Sequence, residues 1–138
     1  MIVRCVTNST DDLPESYVSP SAGYPRGKQV ATLEPGREYV VYAVGVFGAQ
    51  VWYYVCEAED DPYPAGRPAP LFSTVDGAAS KLWSVDFRPD NPVCQLLMAP
   101  GPWVAERDFY ERLTDYSERE MAVFAEVRAK IDEEARAR

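Results

Sequence analysis

At 138 residues, with 46% hydrophobic and 12% aromatic side chains, the chain has the composition of a folded globular protein with a sizeable core, which excludes a disordered one. Lys and Arg number 14 against 22 Asp and Glu; the net charge of −8 opposes binding to a phosphate backbone and favours a basic protein partner through long-range steering. The count of His is 0, which removes Ser-His-Asp and Cys-His catalysis together with the commonest zinc ligand.

Ile2 to Val6 predicts a strand, with Val3 and Cys5 on one face and Arg4 on the other. No basic segment followed by a long apolar core opens the chain, and no stretch reaches the roughly 18 apolar residues of a membrane span. The expectation is a cytoplasmic protein away from the membrane, with Cys5, Cys56 and Cys94 reduced. The cysteine spacings match no zinc pattern, and Cys5 and Cys56 lie in predicted strands, so core packing is expected of them. Asn8 to Lys28 reads as a long loop, punctuated by Pro14, Pro20, Gly23, Pro25 and Gly27. Tyr17 and Tyr24 inside it either pin the loop to the barrel, the commoner outcome for aromatics in a polar loop, or face a partner.

Pro35-Gly36 is a turn signal feeding a strand from Glu38 to Val46. That run alternates poorly but is dense in strand formers, as in a strand buried on much of both faces. Gly45 and Gly48 bracket a hairpin turn or bulge, and Val51 to Cys56 is the returning antiparallel strand. Within it, period-two alternation predicts Trp52 and Tyr54 on one face and Tyr53 on the other. An acidic turn follows, Glu57 to Asp61. Pro62, Pro64, Pro68 and Pro70 then predict an extended loop that returns to the barrel at Leu71-Phe72. Lys81 to Phe87 predicts one more strand, with Trp83 and Phe87 inward.

Beyond residue 88 the composition shifts. Val93 to Met98 suggests one or two helical turns, and Pro102 to Leu113 a short helix with Trp103, Phe109 and Leu113 inward. Asp115, with Glu118 three residues on, predicts the capping box of a last helix. Its stripe is Met121, Phe124, Ala125, Arg128 and Ile131, and fraying is expected past Asp132. The whole reads as one α+β domain, with a β-barrel-like part over 1–88 and a helical part over 89–138 packed on it.

Leu33-x-x-Gly36-Arg37-x-Tyr39-x-Val41, the Val51–Cys56 strand and Pro70-Leu71-Phe72-x-x-Val75 together resemble the turn-and-strand grammar of SH3-like small barrels of bacteria. The resemblance spans residues 2–76 and implies a strongly bent antiparallel β-barrel, a scaffold used mostly for binding proteins, peptides or nucleic acid and seldom for catalysis. The acidic Glu57–Asp61 turn departs from its nucleic-acid-binding members, which rely on basic loops. In size and charge the chain is also similar to small bacterial immunity and inhibitor proteins.

No phosphate loop or dinucleotide fingerprint is present. Two carboxylate groupings, Asp108 with Glu111 and Asp86 with Asp90, have the residue types for acid–base work, although charged residues on such surfaces are usually only solvated. The acidic turn lacks the ligand spacing of a calcium loop, so no metal and no cofactor is expected. The expected activity is therefore non-enzymatic binding, as in an immunity-type inhibitor of a basic toxin or enzyme. Glu57, Glu59, Asp60, Asp61, Tyr63, Arg67 and Tyr53 are the candidate partner-binding residues, because acidic groups steer and exposed aromatics anchor. The alternative is an accessory domain that binds a small ligand or peptide in a groove between the Asn8–Lys28 loop and the aromatic strand. The oligomeric state is open on sequence alone.

Overall fold

The computed structural model describes residues 1–18 and 24–138. Its strands and helices are β1 (Ile2–Cys5), β2 (Glu38–Phe47), β3 (Gln50–Val55), β4 (Ala65–Pro68), β5 (Phe72–Asp76), β6 (Trp83–Phe87), β7 (Leu96–Pro100), α1 (Gly101–Ala105), α2 (Phe109–Thr114) and α3 (Glu118–Arg136). The architecture is α+β, an antiparallel sheet with helices at the C-terminal end.

The ten-residue β2 organises the sheet. One edge pairs with β3, from Val41↔Val55 to Phe47↔Gln50. Its other edge is shared between β1, which takes residues 38–40, and β7, which takes residues 44–46. Outside these lie β5 on β1 and β6 on β7, so the outer edge is two short strands set end to end. β4 flanks β3 on the far side. Among the described residues no pairing joins β4 to β5 or β6, so the sheet is open.

The register of β2 against β3 slips between Val41 and Ala43. A bulge of this kind adds one residue and lets two neighbours face the same way. Tyr39, Val41 and Val44 accordingly enter one core with Val3, Cys5, Leu33 and Leu71, whereas Tyr42 and Ala43 enter a second with Trp103, Leu113, Phe124 and Ile131. The imperfect alternation of this segment thus has two causes, burial of both faces and the bulge.

The N-terminal loop is pinned by its tyrosines. The buried Tyr17 hydroxyl accepts from Val51 N at 2.6 Å and donates to Val51 O at 3.3 Å. The Tyr24 ring lies 5.6 Å from Trp52. Single 3-10 turns at Thr10–Asp12 and Glu15–Tyr17 give the loop local structure. Pro20 and Gly23, also read as loop, lie outside the described residues.

Several expectations need correction. The segment read as helical turns before Met98 instead ends in β7, because the apolar Leu96-Leu97-Met98 run fills the ladder vacancy between β2 and β6. Pairing overrides weak local propensity there, and the strand part of the chain extends past residue 88 to Pro100. Within the proline-rich loop, Ala65–Pro68 forms an edge strand, the position where a missing N–H is tolerated. Phe87 is 66% exposed rather than inward, since β6 is an outer edge beyond the reach of either core, while Trp83 is half-buried. The predicted Pro102–Leu113 helix is broken between Ala105 and Phe109, yet Trp103, Phe109 and Leu113 are all buried. Ser117, not Asp115, precedes α3, and Asp115 instead ends α2. The helix continues beyond Asp132 to Arg136, held by Glu134 on the Lys81 amide at 3.1 Å and by Arg138 on Asp76 at 2.9 Å.

Candidate functional site

The acidic turn is built from its own side chains and then braced from outside. The Asp61 carboxylate accepts the backbone N–H groups of Glu57 and Ala58, both at 2.9 Å, and closes the turn as a capping carboxylate does. From α3, Arg128 donates to the Asp61 carbonyl at 2.9 Å and to the Ala58 carbonyl at 3.4 Å. The Arg128 guanidinium lies over the Tyr42 ring at 5.8 Å, and the Tyr42 hydroxyl donates to Asp132 at 2.5 Å. Burial, reinforced by that carboxylate, pushes the Tyr42 hydroxyl far above its usual range.

On the opposite flank Glu57 is buried, and its Oε1 accepts Arg67 Nε at 2.5 Å while Oε2 has no partner. Arg67 also donates to the Tyr24 hydroxyl at 2.9 Å and to Thr32 Oγ1 at 3.4 Å. Glu57 and Asp61 are therefore structural. Glu59 and Asp60 remain exposed and, among the described residues, take part in no ion pair.

Four of the seven residues selected from sequence, Glu57, Asp61, Tyr63 and Arg67, line one open hollow of about 360 Å³ that also receives Thr32 and Tyr116. Glu59 borders a neighbouring hollow of about 280 Å³ beside Tyr42, Cys56 and Arg128. Tyr53 does not join them, because its ring packs 5.9 Å from Phe72 in the first core. Trp52 and Tyr54 are not packed together either. Trp52 leans on Tyr17 and Tyr24, whereas Tyr54 lies edge-on to Trp103 and Tyr110, both 5.1 Å away.

Tyr116 is the element of this surface that pattern reading misses. It has φ 62°, the only positive φ of a non-glycine residue among those described. The N–H of Ser117 bonds to the Arg112 carbonyl at 3.0 Å and that of Tyr116 to the Leu113 carbonyl at 3.1 Å. These two bonds define a Schellman ending for α2, in which the left-handed position is normally glycine because a Cβ is strained there. Here the position carries a tyrosine that is 61% exposed, with its ring 5.9 Å from Tyr63. No glycine or asparagine signals this turn in the sequence. Arg128 was legible only as a member of the α3 stripe.

The remaining chemistry is quiet. Burial raises all three thiols, Cys56 to about 12, so each is held protonated at neutral pH, unlike a nucleophilic thiolate. Asp108 and Glu111 are exposed, with Asp108 3.8 Å from Arg112, and Asp86 is paired with Arg88 at 3.0 Å. No helix among the described residues is long and apolar enough to cross a membrane. No protein-family model, curated protein or solved structure matches this chain.

Proposed function

We propose that this protein is a binding module that holds a basic protein partner on the Glu57–Asp61 turn and the adjoining Tyr63–Tyr116 rim, in the manner of an acidic immunity-type inhibitor. The observation that carries the reading is Tyr116. A left-handed tyrosine costs roughly 1–2 kcal/mol relative to an unstrained backbone, and glycine would remove that strain. What the tyrosine adds is an exposed ring on the rim of the hollow that the braced turn lines with Glu57, Ala58 and Asp61, while Glu59 and Asp60 of the same turn stay exposed; interfaces use anchors and steering charge of these kinds. The same proposal reads the Leu33–Val41 and Pro70–Val75 units as an SH3-like small barrel left open along one seam, a scaffold suited to recognition by its loops.

Two variants separate function from folding. Tyr116→Gly is expected to keep thermal stability within about 1 kcal/mol of the parent, since relief of strain offsets the lost ring contact and the added chain entropy. Partner affinity should fall by roughly tenfold or more, as for loss of an interface anchor. Glu59→Ser with Asp60→Ser, leaving Asp61 to close the turn, should slow association about tenfold at low salt and much less at high salt. The first readout is capture from source-cell lysate by parent and variants at two salt concentrations, followed by association rates with the captured protein. The same proteins retained equally by all three chains would overturn the assignment.

A further inference from the structure

Three of the six exposed large hydrophobic side chains among the described residues, Val85 (60%), Phe87 (66%) and Val93 (67%), belong to β6 or to the loop that follows it; the others, Val6, Val75 and Tyr116, lie elsewhere. Val85 and Phe87 continue two cross-strand rows. Val51, Val46, Leu96 and Phe87 are successive partners across β3, β2, β7 and β6, and so are Tyr53, Val44, Met98 and Val85. Residues directly opposite share a face. Val44, Tyr53 and Met98 are covered by the first core, whereas Val85 and Phe87 run past its limit into solvent.

β6 pairs only with β7, so among the described residues its outer edge has no ladder partner; the Trp83 N–H at its start bonds to the Ser80 carbonyl at 3.2 Å, which leaves the Val85 and Phe87 groups as the open part of that edge. Free edges are usually blunted by lysine, proline or a bulge, and Trp83-Ser84-Val85-Asp86-Phe87 contains none of these. Its single charge, Asp86, is held by Arg88 at 3.0 Å. In a chain of net charge −8 this neighbourhood is balanced, Lys81 and Arg88 against Asp86 and Asp90. A basic partner gains no local steering here, and an identical chain meets no excess of like charge at the edge itself, although the −8 of each copy still opposes approach at low salt. The two ends of the strand also differ in sign, Lys81 before it and Asp90 after it.

We propose that β6 is a self-association edge, pairing antiparallel with β6 of a second copy about a two-fold axis through Val85. Such an isologous contact sets Trp83 opposite Phe87 of the second copy and brings each Lys81 end beside an Asp90 end, twice over. It buries the Val85 and Phe87 side chains and satisfies the free backbone edge in one continuous sheet.

Light scattering on the full chain across a micromolar concentration series tests this. The expected mass is twice the 15.5 kDa of one chain, and Val85→Lys should return it to 15.5 kDa, since a charge on a shared edge opposes pairing. Val85 is exposed in the single chain, so the substitution leaves both cores intact. Hydrogen exchange on the unaltered protein gives a second readout, with the 83–87 amides exchanging more slowly as concentration rises. A 15.5 kDa particle throughout, a dimer unmoved by Val85→Lys, or concentration-independent exchange over 83–87 would each overturn the proposal.

Discussion

Phe124→Ala is expected to lower the free energy of unfolding by about 3–5 kcal/mol, the cost of deleting a fully enclosed aromatic ring and leaving its cavity. Phe124 is 2% exposed on the inner face of α3, with its ring edge-on to Tyr42 at 5.5 Å. Tyr42 stands at the bulge of β2, so the contact joins the last helix to the strand around which the sheet is built. Only Phe124 and Ile131 among the apolar residues of α3 are fully buried, with Met121, Val123 and Val127 packed at the margin, so Phe124 is the largest enclosed apolar contact of the helix. The melting midpoint should fall by about 10 °C or more. Ala125→Ser, one residue along on the exposed face, should change stability by less than about 0.5 kcal/mol. Because Arg128 braces the acidic turn from the same helix, amide exchange across residues 57–61 should quicken in Phe124→Ala. A loss below about 1 kcal/mol would show that α3 does not hold the second core.

Acid should expose the second large effect. The Glu120 side chain is only 2% exposed, yet it is ionised, accepting from Ser117 Oγ at 2.6 Å, Arg112 Nε at 2.9 Å and Arg119 at 3.1 Å. Both arginines also hold Glu106, at 2.8 Å and 2.7 Å. The Ser117 hydrogen bond, then the arginines, draw the Glu120 carboxyl from 4.5 down to about 2. A carboxyl depressed in the folded state stabilises fully above its unfolded value and loses that contribution as pH falls through the folded one. Stability should therefore decline between pH 4.5 and about 2, and Glu120→Gln should flatten that decline. At neutral pH the Gln variant should be the less stable, since Arg112 and Arg119 lose their shared charge. Urea unfolding at pH 7 and at points below 4.5 measures both. Parallel profiles for the two proteins would remove Glu120 from the account of acid sensitivity.

Glu120 also shows why part of this molecule was hidden in its sequence. A charged residue in a helix reads as solvated, and the apolar stripe of α3 passes beside it. Ser117-x-x-Glu120 has the spacing of a capping box, but Asp115-x-x-Glu118 offers the same signal two residues earlier. Strong local patterns survived the passage to structure. The β-dense runs of β2 and β3, the glycine turn at Gly36 and the pinning tyrosines are where the residues indicated. Features decided by distant partners did not. β7 is a strand because β2 and β6 are there to receive it, and Phe87 is exposed because no strand among the described residues pairs outside β6. Within the site, clustering in the chain located the acidic turn. It gave no sign that Glu57 is committed to Arg67 or that Tyr53 belongs to the first core.

Because β2 pairs with β1 toward one end and with β7 toward the other, a ribosome releases its two partners far apart in time. The buried members of the first core end at Phe72, with Trp83 and Met98 added later at its margin, whereas the second waits for Phe124 and Ile131. At synthesis rates of about 5–20 residues per second, that delay is roughly 3–12 s. Throughout it Tyr42, Ala43 and Tyr54 present a bare apolar face on a sheet already half assembled. The nascent chain is thus most vulnerable to aggregation or chaperone capture until α3 emerges, and its nineteen residues end that interval.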